Sequence, residues 1–319
     1  MAHGAVKPTK PNIRSVYSDY LIMLLAPCYM AFHYYGFRSL LVIAVSVISA
    51  LLTDAFAGLI LNKKINFGNP GCVFAGAAIA LMMPANVPFY VPALASFFAV
   101  AIVMMPFGSD ENTPFVPAAA GFAFASVCFK ESVFNYAVGT QDSVFGAESL
   151  GSMLLKGSSV HIGTANIFDI LIGNVAGPMG TGCVLLMLAS AAFLLIRRPS
   201  SLLSTAGFVV ACIVTVVLFP RVSASLKSNL IPELCSGSLM FAAVFLITDP
   251  VTQPKKNLNK FLYGALCGVL CIAMRKMGAY EETVCFAVIL SNALRPIFDS
   301  AIDNMPKRIK KSPRKEVTE

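Results

Sequence analysis

Long apolar stretches alternate along the chain with short breaks of Pro, Gly and charge. The pattern predicts ten membrane segments, at residues 17–36, 38–62, 66–84, 88–107, 113–129, 167–196, 200–220, 228–249, 259–275 and 281–299. About 20 consecutive apolar residues in a helix cross the hydrocarbon core, so most of these segments are long enough to span. Two of them are not plain helices. Segment 66–84 opens with Asn66-Phe-Gly-Asn-Pro-Gly71, and segment 228–249 carries Pro232-Glu-Leu-Cys-Ser-Gly237. Non-helical backbone survives at membrane depth only where protein or a water-filled cavity satisfies its polar groups.

The same two segments echo each other. Gly71, Pro84 and Pro88 align without a gap on Gly237, Pro250 and Pro254, an offset of 166 residues; the offset grows to 170 where Gly108, Glu111 and Thr113 fall on Gly278, Glu281 and Thr283. A duplication is the simplest cause, and five spans per copy, being odd, invert the second copy. The expected organisation is an inner N-terminal segment at 1–16, a first membrane repeat at 17–129, an outer-side loop at 130–166, a second repeat at 167–299 and a basic inner tail at 300–319. The fold class is an all-α polytopic membrane protein of two inverted five-segment repeats.

Composition excludes a water-soluble core of this size: 57% of the 319 residues are hydrophobic, 13% are charged, and the mean hydropathy is +0.74. Lys7, Lys10 and Arg14 precede the apolar stretch Tyr17–Tyr35, which lacks a small-residue cleavage site and reads as the first span rather than a signal peptide. The net charge of +8 is concentrated in the tail, at Lys307, Arg308, Lys310, Lys311, Arg314 and Lys315. It therefore indicates a juxtamembrane tail at the lipid bilayer, with no nucleic-acid partner. Lys63, Lys64, Arg197, Arg198, Lys255, Lys256 and Lys260 join both termini on one side of the ten-span arrangement, which the positive-inside rule makes cytoplasmic.

The nine cysteines show no metal-site spacing, and only Cys267 and Cys271 stand one helical turn apart. They read as small apolar residues at helix interfaces. Among intramembrane acids, Asp54 lies nine residues before Lys63, about 13 Å along a helix. A carboxylate there needs a cavity or a partner, so Asp54 is an ion-path candidate. Asp249, just before Pro250, is a second one, with an Asx-turn as its structural alternative. Glu281 and Glu282, at the start of the last span, are expected to complement that helix's positive N-terminus.

The C-terminal half carries Phe241-Ala-Ala-Val-Phe-Leu-Ile-Thr-Asp-Pro-Val-Thr252 and Gly278-Ala-Tyr-Glu-Glu-Thr-Val-Cys-Phe-Ala-Val-Ile-Leu-Ser-Asn-Ala-Leu-Arg-Pro-Ile-Phe-Asp299. These stretches resemble the signature of the D subunit of the Rnf electron-transport complex and of its relative, the B subunit of sodium-pumping NADH:quinone reductase. Leu81-Met-Met-Pro-Ala-Asn-Val-Pro88 and Glu111-Asn-Thr-Pro-Phe-Val-Pro-Ala118 extend the likeness to the first half. The chain's length and short polar N-terminus fit the Rnf protein better.

The resemblance implies a fold similar to urea transporters and a membrane subunit of a bacterial inner-membrane complex. That complex has other membrane and peripheral subunits, is of the ferredoxin:NAD oxidoreductase type, and couples electron transfer to the movement of Na+ or H+. It also implies a flavin: FMN held by a phosphoester on a loop hydroxyl, with riboflavin as a further flavin. Counting back from the family-like Leu171-Ile-Gly-Asn-Val-Ala-Gly-Pro178 reaches Ser152, where the family has Thr, and Thr164 in Ile162-Gly-Thr-Ala165 is a second candidate. Ser152 keeps an attachable oxygen, whereas Gly146 stands where the family has Asp. Two alternatives remain at this level: a channel or transporter for a small polar solute on the same fold, and a cofactor-free scaffold paralogue.

Overall fold

The computed structural model describes residues 13–60, 68–108, 112–136, 149, 171–173, 176–220, 226–278 and 282–303, and among these it is helical with no strand. Helices α1 (Ile13–Tyr35) and α2 (Phe37–Ile60) are followed by a shorter α3 (Pro70–Leu81). Next comes α4 (Tyr90–Phe98), which runs on as a π-helix over Ala99–Met104 and a 3-10 turn over Met105–Phe107, then α5 (Pro117–Cys128) and the single turn α6 (Lys130–Val133). The remaining elements are α7 (Val184–Arg197), α8 (Leu202–Leu218), α9 (Leu226–Cys235), α10 (Leu239–Phe241), which continues as a π-helix over Ala242–Leu246, α11 (Asn257–Lys276) and α12 (Val284–Asp303).

Among the described residues, four helices are long and apolar enough to cross a membrane: Ile13–Tyr35, Phe37–Ile60, Tyr90–Phe107 and Asn257–Lys276. Pro70–Leu81, Pro117–Cys128, Val184–Arg197, Leu202–Leu218 and Val284–Ile297 are shorter apolar helices. The protein is thus a helical, multi-pass membrane protein.

Local chemistry explains why α3 is short. Asn69 caps its first turn through Gly71 N, and Pro70 occupies the position where a missing N–H costs nothing. Twelve residues give about 18 Å of helix. Pro84 then prevents continuation, because the residue before a proline avoids helical geometry. The chain nevertheless goes on along α2, since Arg38 at the start of α2 donates to the carbonyls of Ala85 and Asn86 at 3.0 Å each. The freed carbonyls of Leu81 and Met83 accept from Gly180 N (2.9 Å) and Met179 N (3.0 Å). Irregular backbone here is buried and satisfied by a distant segment of the same chain, as hydrocarbon depth demands.

In the first half α2 packs on α3 and α4, and α1 on α3; in the second, α8 packs on α11, and α11 on α12. Contacts of α5 with α12 and of α1 with α7 join the two halves. Cys267 and Cys271 are fully buried in the core, where they serve as small apolar residues.

The molecule has two chemically different ends. Asp19, near the start of α1, pairs with Arg197 (3.4 Å) and Arg198 (3.5 Å) at the end of α7, and Lys255, Lys256 and Lys260 lie at the start of α11. At the other end Arg38 stacks over Phe89, 5.8 Å from the ring centroid, and Tyr29, His33 and Tyr34 form an aromatic group.

Candidate functional site

At the basic end the segment containing Asp249 leaves the π-helix and turns back toward α11. Asp249 is 1% exposed, and both of its carboxylate oxygens are engaged. Oδ1 accepts from the Tyr17 hydroxyl (3.1 Å); Oδ2 accepts from Val251 N (3.2 Å), Thr252 N (3.0 Å) and Thr252 Oγ1 (3.1 Å). This is the Asx-turn that the Asp-Pro sequence allows, with a tyrosine from the other half added. Tyr20, one turn further along α1, donates to Thr248 O (2.6 Å) and bonds its Oγ1 (3.0 Å). Arg295 on α12 closes the opposite side by donating to Val251 O (3.2 Å) and Thr252 O (2.7 Å). The turn is thus fixed from α1 and α12 together.

Asp54 lies elsewhere, half-buried on α2 with the Cys72 thiol of α3 hydrogen-bonded to it. Cys72 belongs to a small apolar cluster with Ala50 of α2 and with Val100 and Met104 of the π-helix that continues α4. Asp54 and Asp249 are not brought together by any interaction among the described residues. Ser152 and Thr164 lie outside the described residues, as do Glu111 and Glu281.

At the aromatic end α1 meets residues 172 and 177. Tyr34 donates to Ile172 O (3.2 Å) and Tyr35 to Gly177 O (3.5 Å), and Cys183 Sγ points at Leu171 O (3.8 Å). Gly173 has φ +90°, and a Cβ there would stand 2.7 Å from Cys183 N, so geometry and space both require glycine. Ile172 and Gly177 are thereby tied to the end of α1, and Gly173 packs closely against Gly182 and Cys183. Among the described residues no group of three or more His, Cys, Asp or Glu could hold a metal ion.

Glu282, at the start of α12, also serves a second helix: its carboxylate accepts from Ser238 N at 2.9 and 3.0 Å and from Ser238 Oγ, so it caps the start of α10. Arg275 complements it by donating to Glu233 O (2.8 Å), Ser236 Oγ (2.9 Å) and Ser236 O (3.1 Å), acceptors around the end of α9. A negative charge at a helix start and a positive one at a helix end satisfy orphan backbone groups and the helix dipoles at once. The break at 236–238 is in this way held by opposite charges on each side. Sequence reasoning also missed Tyr17 and Tyr20; they belong to the buried stripe Val16, Tyr17, Tyr20, Met23, Leu24, Pro27 and Ala31, whose helical spacing marks one face of α1.

Known proteins place the chain in context. It is 25% identical to the D subunit of the proton-translocating ferredoxin:NAD(+) oxidoreductase complex of Clostridium ljungdahlii over 279 residues, covering 83% of this chain and 82% of that one. It is 26% identical to the D subunit of the Na(+)-translocating ferredoxin:NAD(+) oxidoreductase complex of Acetobacterium woodii, covering 91% and 89%. The B subunit of the Na(+)-translocating NADH-quinone reductase of Klebsiella pneumoniae is 28% identical over 242 residues, covering 72% of this chain but only 59% of that protein. The profile of one family matches residues 5–308, nearly the whole chain, and the protein therefore belongs to the NQR2, RnfD, RnfE family.

Proposed function

We propose that this chain is a membrane subunit of a ferredoxin:NAD-type electron-transport complex that couples electron flow to the movement of Na+ or H+ and carries a flavin on its outer side. The observation that carries the reading is the family match over residues 5–308, which takes in both halves and the segment between them. Coverage favours the ferredoxin:NAD type, since the two D subunits align over 82% and 89% of their own lengths and the quinone-reductase protein over 59%.

FMN attached through a phosphoester to Ser152, or to Thr164, is part of the proposal. A bound flavin supplies one- and two-electron transfer there. The chain's own contribution is placement. Tyr34 and Tyr35 hold the Ile172 and Gly177 carbonyls at the end of α1, and Gly173 fits closely against Gly182 and Cys183, on the C-terminal side of both hydroxyls. Ten segments in two inverted repeats, with both termini cytoplasmic in a bacterial inner membrane, complete the reading. Its support is the left-handed Gly108 and Gly278 closing two echoed segments, and the gathering of basic residues at one end and aromatics at the other. The channel alternative finds little room where the two interrupted segments meet, because Tyr20 packs against Phe74 (5.6 Å) and Phe245 (6.5 Å) there.

Purification of the full chain from its membrane in mild detergent tests the proposal. The expected result is co-elution with further membrane and peripheral subunits and a flavin absorbance spectrum. A chain that elutes alone, without flavin, and passes a small polar solute in liposomes would overturn it.

A further inference from the structure

We propose that buried water is bound between α11 and α12, at Asn259, Ser291 and Asn292; this inference does not depend on the electron-transfer reading. α11 has two unlike buried faces. Toward α8 the packing is backbone-close: a Cβ on Gly264 would stand 1.9 Å from Ser204 O, and one on Gly268 2.6 Å from Phe208 O. Small-residue contacts of this kind hold membrane helices together without help from polar side chains.

The other face is polar at every fourth residue. Asn259, Tyr263, Cys267, Cys271 and Arg275 form one slanting row along α11, about 24 Å long, and none of them is more than 4% exposed. Each meets a polar group of another segment. Asn259 Nδ2 donates to Asp299 Oδ1, and the Tyr263 hydroxyl to Asn292 Oδ1. Cys267 lies beside Ser291, Thr283 Oγ1 donates to Cys271 O (3.1 Å), and Arg275 donates to Glu233 O (2.8 Å).

These pairs do not use up the groups in them. Asn259 Oδ1, Ser291 Oγ and Asn292 Nδ2 have no hydrogen-bond partner among the described residues, although the three residues are only 3%, 0% and 3% exposed. Turning either amide over changes which of its atoms is bare, not that one is bare. A bare polar atom away from solvent is costly, and a bound water with several such neighbours removes the cost. Ser291 and Asn292 are consecutive on α12, which brings two of the three bare atoms to one level of the helix pair. Water both donates and accepts, so it suits a hydroxyl and an amide in either orientation, whereas a metal cation suits acceptors alone. Bound there, it joins the separate pairs into one hydrogen-bonded line along α11.

X-ray radiolysis of the full chain in detergent and 18O-labelled water tests the proposal, because hydroxyl radicals formed from a bound water mark the side chains beside it however deeply they are buried. Tyr263 should take up label about tenfold more than Tyr20, which is also buried but whose hydroxyl is engaged by Thr248. Asn292→Leu should bring Tyr263 down to the level of Tyr20, and Ser291→Ala should lower it about threefold. Replacing choline by sodium in the buffer should change nothing. If Asn292→Leu does not fold, Ser291→Ala and the comparison of the two tyrosines in the parent chain decide. Equal labelling of Tyr263 and Tyr20, or Tyr263 labelling untouched in the folded variants, overturns the proposal. Loss of the label when sodium is added also overturns it, by showing that a cation takes the place of water.

Discussion

The Glu282 carboxylate caps α10 from the far side of the sequence, receiving Ser238 N, 44 residues before it, at 2.9 and 3.0 Å on its two oxygens. The cap reaches Ser238 only because Gly237 lets the chain pass with φ +63°; a Cβ at 237 would overlap that carboxylate. Hydrogen bonds to a buried charge contribute about 2 kcal/mol, so Glu282→Ala should lower the unfolding temperature in detergent, and Glu282→Gln should lower it less. Gly237→Ala should do more damage than either, through backbone strain and overlap together. Unchanged melting of Glu282→Ala would show that the cap does not hold the break.

Arg275 and Glu233 form a buried pair, but the carboxylate is the weaker partner, with Oε1 at 3.5 Å against 2.8 Å for the Glu233 carbonyl. The guanidinium is therefore chiefly a cap for the end of α9. Arg275→Met should cost about 3–5 kcal/mol, the cost of leaving a buried partner uncompensated. Glu233→Gln should cost much less. A double-mutant cycle read by chemical unfolding checks this: a coupling as large as the Arg275 effect would make the ion pair the main interaction instead.

How far the fold could be read in advance follows from which forces act locally. Pro84 and Pro250, with their glycine partners, marked the two interrupted segments because proline and glycine act on their own backbone, whatever the tertiary context. The fate of the broken ends was not legible: Leu81 and Met83 are satisfied by Gly180 and Met179, about a hundred residues away, and no local pattern encodes that pairing. The second role of Glu282 was hidden for the same reason: an acid just before a helix suggests service to that helix, and only packing reveals that it also reaches Ser238. Asp249 was legible as an Asx-turn, whereas its bond to Tyr17 depends on how α1 docks.

Asp249 and Asp54 should separate in a transport assay. The Asp249 carboxylate is held by the neutral donors of one turn and one tyrosine, so Asp249→Asn should cost about 2 kcal/mol and Tyr17→Phe about 1 kcal/mol, with ion movement in the reconstituted complex falling only as folded protein is lost. Asp54 is half-buried beside Cys72, and Asp54→Asn should reduce ion movement while leaving the melting temperature nearly unchanged. Transport lost in a fully stable Asp249→Asn protein would reverse the two assignments.

The last prediction concerns the flavin-bearing oxygen. Ser152 stands 21 residues before Gly173, the position at which the family resemblance places an attachable hydroxyl, whereas Thr164 stands nine before it. That spacing is the ground for placing Ser152 ahead of Thr164. The chain made together with a flavin transferase should therefore give a fluorescent band in a denaturing gel, which Ser152→Ala abolishes and Thr164→Ala leaves. Loss only in the Thr164 variant would move the attachment to that residue. A dark band in the parent protein, when a partner subunit in the same cells is flavinylated, would reject covalent attachment to this chain.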